Sequence, residues 1–176
     1  MADKKMFFRD NYYFYGHQCD MISALTKTID ESSRSSLFSS AIELFITAAL
    51  VGAYYDSKEK VDPDHTKKTN ILAEQFNKHA VEVRRAFKFV LLVGDRTKLD
   101  AVTRLNRTFR NPETDENYND FEEHMLGGLK DIYDSLILRT NTKYQDYLNS
   151  ACNFLNNFSD DEIETPTLPI SNDDFF

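Results

Sequence analysis

The chain is poor in what bends or staples a backbone. Five glycines and four prolines in 176 residues leave too few turn formers for a β-sandwich of many short strands. Two cysteines, Cys19 and Cys152, supply no disulfide framework. Tryptophan is absent. The longest apolar stretch, residues 41–55, includes Glu43 and falls short of the roughly 20 residues that span a bilayer. Residues 1–10 lack the basic-then-apolar order of a signal peptide, so a cytoplasmic protein with reduced thiols is expected. Neither G-x-x-x-x-G-K-[ST] nor G-x-G-x-x-G occurs. The stretch Val93-Gly94-Asp95-Arg96-Thr97-Lys98 has one glycine and cannot form an amide cradle for phosphate. With 29 acids against 21 bases and a net charge of −8, a uniformly basic nucleic-acid coat is excluded.

What is present is helical periodicity. The hydrophobic fraction, 41%, suffices for a core, and the pattern predicts an all-α domain over residues 1–158. About six helices should surround a central apolar one. The first spans residues 12–29, with Tyr15, Met21, Ile22, Leu25 and Ile29 inward. The second, capped by Ser35 or Ser36, runs to about Tyr55 and is apolar on most faces, which places it in the middle. A polar link follows at 58–66. Residues 68–93 read as one helix carrying Leu72, Phe76, His79, Ala80, Val83, Phe87, Val90 and Leu91 at three- and four-residue steps, with Gly94 as its left-handed cap. A short helix beginning at Asp95 or Thr97 should bury Leu99, Val102, Leu105 and Phe109. Helices over 117–138 and 142–158 complete the set. Residues 159–176, with two prolines and no period, read as a disordered acidic tail.

Charge is segregated. Residues 1–57 balance to −2, residues 58–110 to +6 and residues 111–176 to −12. In the middle block Arg84, Arg85, Lys88, Arg96, Lys98, Arg104, Arg107 and Arg110 form a candidate strip for phosphate contacts with DNA or RNA. The other reading is a solvated surface that pairs with the acidic last third.

No catalytic or metal motif stands out. His17-x-Cys19 has no matching second pair, and His65, His79, His124 and Cys152 lie in separate segments, whereas a zinc site needs about four ligands. Glu122-Glu123-His124 reads as an ordinary helix face. No catalytic residue, metal or cofactor is assigned, and a non-enzyme is expected. Gly127-Gly128, costly inside a helix by about 1 kcal/mol each relative to alanine, calls for a close backbone neighbour, and Ala48, Ala49 and Gly52 offer one. The cluster Phe7, Phe8, Tyr12, Tyr13, Phe14 and Tyr15 suits a core or a protein contact, with base stacking as the alternative. The ending Asn172-Asp173-Asp174-Phe175-Phe176 is a candidate docking peptide in which Asp173, Asp174, Phe175 and Phe176 engage a partner. It is similar to the acidic, phenylalanine-ended tails of bacterial single-stranded-DNA-binding proteins, without their β-barrel pattern elsewhere in the chain.

Two helical stretches carry a family resemblance. Residues 38–52, FSSAIELFITAALVG, end Ala-Ala-x-x-Gly, and residues 121–129, FEEHMLGGL, have the form Glu-x-x-x-x-Gly-Gly-Leu. In this order they resemble small helical proteins encoded beside bacterial DNA-phosphorothioation (dnd-type) modification genes, over residues 37–137. The resemblance implies a part in DNA-modification-based anti-phage defence and carries over no catalytic motif. The aromatic N-terminus and long acidic tail depart from it. The expected role is therefore a non-catalytic accessory or adaptor subunit of a defence or DNA-transaction complex, held to a larger protein by its tail or aromatic N-terminus, with an optional phosphate contact. The alternative is a nucleic-acid-binding regulator or small subunit acting through Arg84 to Arg110.

Overall fold

A computed structural model describes residues 10–30, 35–138 and 144–160. The order of elements is β1 (Tyr12–Tyr15), α1 (Gly16–Thr26), β2 (Thr28–Asp30), β3 (Ser35–Ser36), α2 (Ala41–Tyr55), β4 (Lys68–Ile71), α3 (Ala73–Lys78), α4 (Ala80–Val93), α5 (Ala101–Phe109), α6 (Asp115–Tyr133) with a π-helical extension Asp134–Leu138, and α7 (Tyr144–Asp160). The helical class is as the periodicity predicts. Two antiparallel strand pairs, β1 with β4 and β2 with β3, are small additions to it.

Helix α2 is the centre. Its mean hydropathy is high because it is apolar nearly all round, and Ile42, Leu44, Phe45, Ala48, Ala49, Val51 and Ala53 are all buried. It packs most extensively on α6, then on α4. Phe45 gathers the core, its ring 5.4 Å from Tyr12, 5.3 Å from Phe76 and 5.7 Å from Phe121. Gly128 and Gly52 make the close α2–α6 approach possible. A Cβ on Gly128 would collide with the Ala48 carbonyl, and one on Gly52 with the His124 carbonyl. The small-residue pairing expected from the sequence is thus the seam of the fold.

Several boundaries differ from expectation, each for a local reason. Residues 12–15 are a strand, since four consecutive aromatics favour an extended backbone and pair in register with Lys68 to Ile71. Tyr12 and Phe14 then point inward and Tyr13 outward. The expected 68–93 helix is divided into β4, α3 and α4, and Leu72, placed in the core by the periodicity, is exposed. Ser40, rather than Ser35 or Ser36, caps α2, accepting from the Glu43 N–H. Gly94 is not a left-handed cap (φ −62°), and that conformation belongs to Asp95 (φ 52°). Helix α5 starts at Ala101 behind an Asp100 cap. Of the expected tail 159–176, residues 159 and 160 are instead the end of α7, and the rest, with Asp173, Asp174, Phe175 and Phe176, lies outside the described residues, as do Phe7 and Phe8. No helix among the described residues is long and apolar enough to cross a membrane.

Candidate functional site

The C-terminal ends of α2 and α4 meet beside the first half of α6, and the junction is ionic. Asp56 caps α2 in the left-handed conformation (φ 55°), which a short polar side chain tolerates. Its Oδ1 accepts the Asp95 N–H at 3.0 Å and its Oδ2 the Thr97 hydroxyl at 2.9 Å. Lys58 donates to Asp95 Oδ2 at 2.9 Å and also to Asp120 Oδ1. From α5, Arg107 donates through Nη2 to Asp120 and through Nε to Asn117 Oδ1 at 3.0 Å. Its Nη1 lies 3.7 Å from Asp95 Oδ2. Lys98 reaches Asp95 Oδ1 at 3.3 Å.

Burial alone would raise the Asp95 carboxyl. The hydrogen bond and charge of Lys58, with the hydrogen bond from Lys98, outweigh it and hold Asp95 below the ordinary carboxylate range. Burial would likewise lower Lys58, and its bonds to Asp120 and Asp95 keep it above its ordinary value. Both groups are therefore charged at neutral pH. His124, fully buried on α6, completes the cluster. Its Nδ1 faces the carbonyls of Gly52 (3.2 Å) and Ser57 (3.1 Å), while its Nε2 has no hydrogen-bond partner.

This junction dictates how α5 sits. Residues 104, 107 and 108, one face at helical spacing, turn inward. Arg107 enters the ion cluster, Thr108 is fully buried, and Arg104 Nη1 donates to the Leu92 carbonyl at 3.1 Å. The opposite face carries Val102, Leu105 and Phe109, which are 66%, 45% and 60% exposed. The expected burial of these three is overturned. An inward-facing ionic cluster took the guanidinium side, and the apolar side was left in water. Lys88 on α4 lies over the Phe109 ring, 5.6 Å from its centre, joining the outer face of α4 to the stripe.

The eight cations of the expected phosphate strip are consequently divided. Arg107 is only 14% exposed and sits in the ion cluster. Arg104 binds the α4 backbone, Arg96 donates to the Tyr54 carbonyl at 2.7 Å at the end of α2, and Lys98 pairs with Asp95. Arg84, Arg85, Lys88 and Arg110 are exposed. Histidine and cysteine spacing does not reveal Asp56, Asp95 and His124 as a group, because two of the three are aspartates at helix ends. The positive φ of two aspartates and the burial of His124 are properties of the fold. Comparison with family models, with curated proteins and with solved structures finds no match for the chain.

Proposed function

We propose that the chain is a non-catalytic accessory subunit of a prokaryotic anti-phage defence or DNA-transaction complex that docks onto a larger protein through α5. The observation that carries this reading is the exposed stripe Val102, Leu105 and Phe109 on a helix whose arginines are committed inward. Contiguous exposed apolar side chains with a polar rim suit a protein contact. Aromatic anchors such as Phe109 dominate such interfaces when buried. The resemblance to dnd-associated proteins supports the setting. Lys88, over the Phe109 ring, and Arg110, next to it in the chain, border the stripe, and with the exposed Arg84 and Arg85 of α4 they suit an acidic rim on the partner or a DNA backbone passing alongside it. The aromatic N-terminal segment is a weaker contact candidate, because Tyr12 and Phe14 are core.

The test is a Leu105→Asp/Phe109→Asp double variant in the native host. A tagged wild-type chain should retain a specific larger protein, identified by mass spectrometry and then purified. Its affinity should fall at least about 30-fold in the double variant, as loss of one hot-spot anchor implies, with the thermal midpoint unchanged. Unchanged affinity defeats the reading. A dimer that the double variant dissociates would reassign the stripe to self-association. Salt-dependent DNA retention lost on Arg84→Glu/Arg85→Glu but not on the double variant would favour the nucleic-acid-binding regulator instead.

A further inference from the structure

We propose that Asp56, Asp95 and His124 form a binding site for a first-row divalent metal ion with mixed nitrogen and oxygen ligands, of which Zn2+ and Mn2+ are the probes. One ligand atom from each of these side chains lies within 4.8 Å of the others. The site is independent of the docking reading above and rests on four observations.

The first is the state of the imidazole. Nδ1 faces two backbone carbonyls, which accept only, so Nδ1 carries a proton and Nε2 is the ring atom left to take a ligand. That backbone-anchored tautomer is the usual second shell of a metal-ligating histidine. The second is the distance. Nε2 is buried without a hydrogen-bond partner, and Asp56 Oδ1 and Asp120 Oδ1 each stand 3.9 Å away. This is too long for a hydrogen bond. Two atoms that each lie about 2.0–2.2 Å from one metal stand about 3.3–3.6 Å apart in a tetrahedral array, so Asp56 at 3.9 Å needs to close by a few tenths of an ångström, and Asp95, within 4.8 Å, by up to about 1.5 Å.

The third is Gly94. Its backbone (φ −62°) is open to any residue, yet a Cβ there would stand 2.6 Å from His124 Nε2. Glycine at this position keeps the space beside Nε2 clear of protein. The fourth is charge. Three carboxylates meet at the C-terminal ends of α2 and α4, both of which carry negative dipole ends. Lys58, Lys98 and Arg107 are all engaged with Asp95 and Asp120, which leaves Asp56 without a lysine or arginine of its own among the described residues. Asp56 has hydrogen bonds from the Asp95 N–H and Thr97, and its nearest ion-pairing group is His124 Nε2. A cation between Asp56 and His124 satisfies Nε2 and the unmatched carboxylate together. Asp56 is 16% exposed and the neighbouring Lys98 mostly so, which gives an ion a path from solvent. Bound there, the metal would clamp the ends of α2 and α4 to α6.

A proton on Nε2 is the competing way to supply positive charge. The experiment is thermal unfolding and titration calorimetry of the full chain after EDTA treatment, with Zn2+, Mn2+ and Mg2+, alongside the visible spectrum of the Co2+ form. Zn2+ and Mn2+ should bind one per chain and raise the midpoint saturably. Mg2+, which demands oxygen ligands, should not. Co2+ should show ligand-field bands without the charge-transfer absorption of a thiolate. Asp56→Asn, at a partly exposed position, should keep the fold and weaken binding at least tenfold. His17→Gln, at an exposed histidine remote from the site, should leave binding unchanged and so controls for adventitious surface sites. The proposal is overturned if neither ion shifts the midpoint, if Asp56→Asn binds as tightly as the wild type, or if acidification alone stabilises the chain with no metal effect.

Discussion

Gly128 shows how a single residue sets the distance between two helices. Propensity favours alanine there by about 1 kcal/mol. Packing opposes it, because the new methyl would lie on the Ala48 carbonyl and close to the Gly52 nitrogen, and backbone cannot rotate aside as a side chain can. Overpacking of this kind costs about 3 kcal/mol, so the steric effect wins. Gly128→Ala should lower the unfolding free energy by a net amount of about 2 kcal/mol, seen as a lower urea midpoint with the m-value preserved. Asp62 carries a prediction of another sort. Its carboxylate accepts the Asp64 N–H at 2.8 Å and the His17 N–H at 2.7 Å, and these bonds hold it down from the ordinary carboxylate value to about 2. A group depressed in the folded state stabilises fully above its unfolded pKa, and loses that contribution as pH falls through the folded one. The midpoint difference between wild type and Asp62→Asn should therefore close as pH falls from about 4 to about 2. A difference that persists or grows between about pH 4 and pH 2 would contradict the assignment.

Helix α5 is where element-level reasoning met its limit. Periodicity correctly marks Val102, Leu105 and Phe109 as one face and Arg104, Arg107 and Thr108 as the other. It cannot say which face meets the core, and the habitual answer is wrong here because Asp95 and Asp120 wait beneath the helix for a guanidinium. Those carboxylates lie on the loop after α4 and on α6, and nothing local to residues 101–109 announces them. The α2–α6 seam, by contrast, was legible at Gly128, which meets Ala48 and Gly52 as expected, whereas Gly127 faces the backbone of Ser57 and Lys58 after the end of α2. The aromatic run 12–15 was legible as core material but not as strand, because its partner Lys68 to Ile71 reads as the start of a helix by periodicity alone. The Arg107 anchor makes a firm prediction. Arg107→Met removes one partner of a buried pair whose members are 14% and 9% exposed, leaving Asp120 with Lys58 alone. Breaking such a pair costs about 3–5 kcal/mol, with Lys58 holding the loss toward the lower figure. Phe109→Ser, on the other face of the same helix, should change stability by less than about 0.5 kcal/mol. Urea unfolding of both variants measures the contrast, and equal losses would mean that α5 is seated by its apolar face after all.

At the scale of the molecule, the two kinds of contact divide the labour. The α2–α6 seam and the ring of aromatics around Phe45 form an apolar interior that must open all at once, whereas α5 is attached along one face through Arg104, Arg107 and Thr108 and carries its hydrophobic side chains outward. Proteins open in units of unequal stability, and segments with few buried apolar contacts open first. Amide hydrogen exchange should therefore separate the chain into two tiers. The amides of α2 and of residues 117–132 in α6 should exchange only through global unfolding and follow the urea-derived free energy. Those of α5 should exchange through a local opening of lower free energy that is insensitive to urea at low concentration. Arg107→Met should speed exchange throughout α5 by more than it speeds exchange in α2, because it loosens the tether as well as lowering global stability. A docking partner seated on Val102, Leu105 and Phe109 should do the reverse and slow α5 toward the rate of the core. Uniform acceleration of both helices in Arg107→Met would show that α5 unfolds only with the rest, and that the ionic junction is part of one cooperative core.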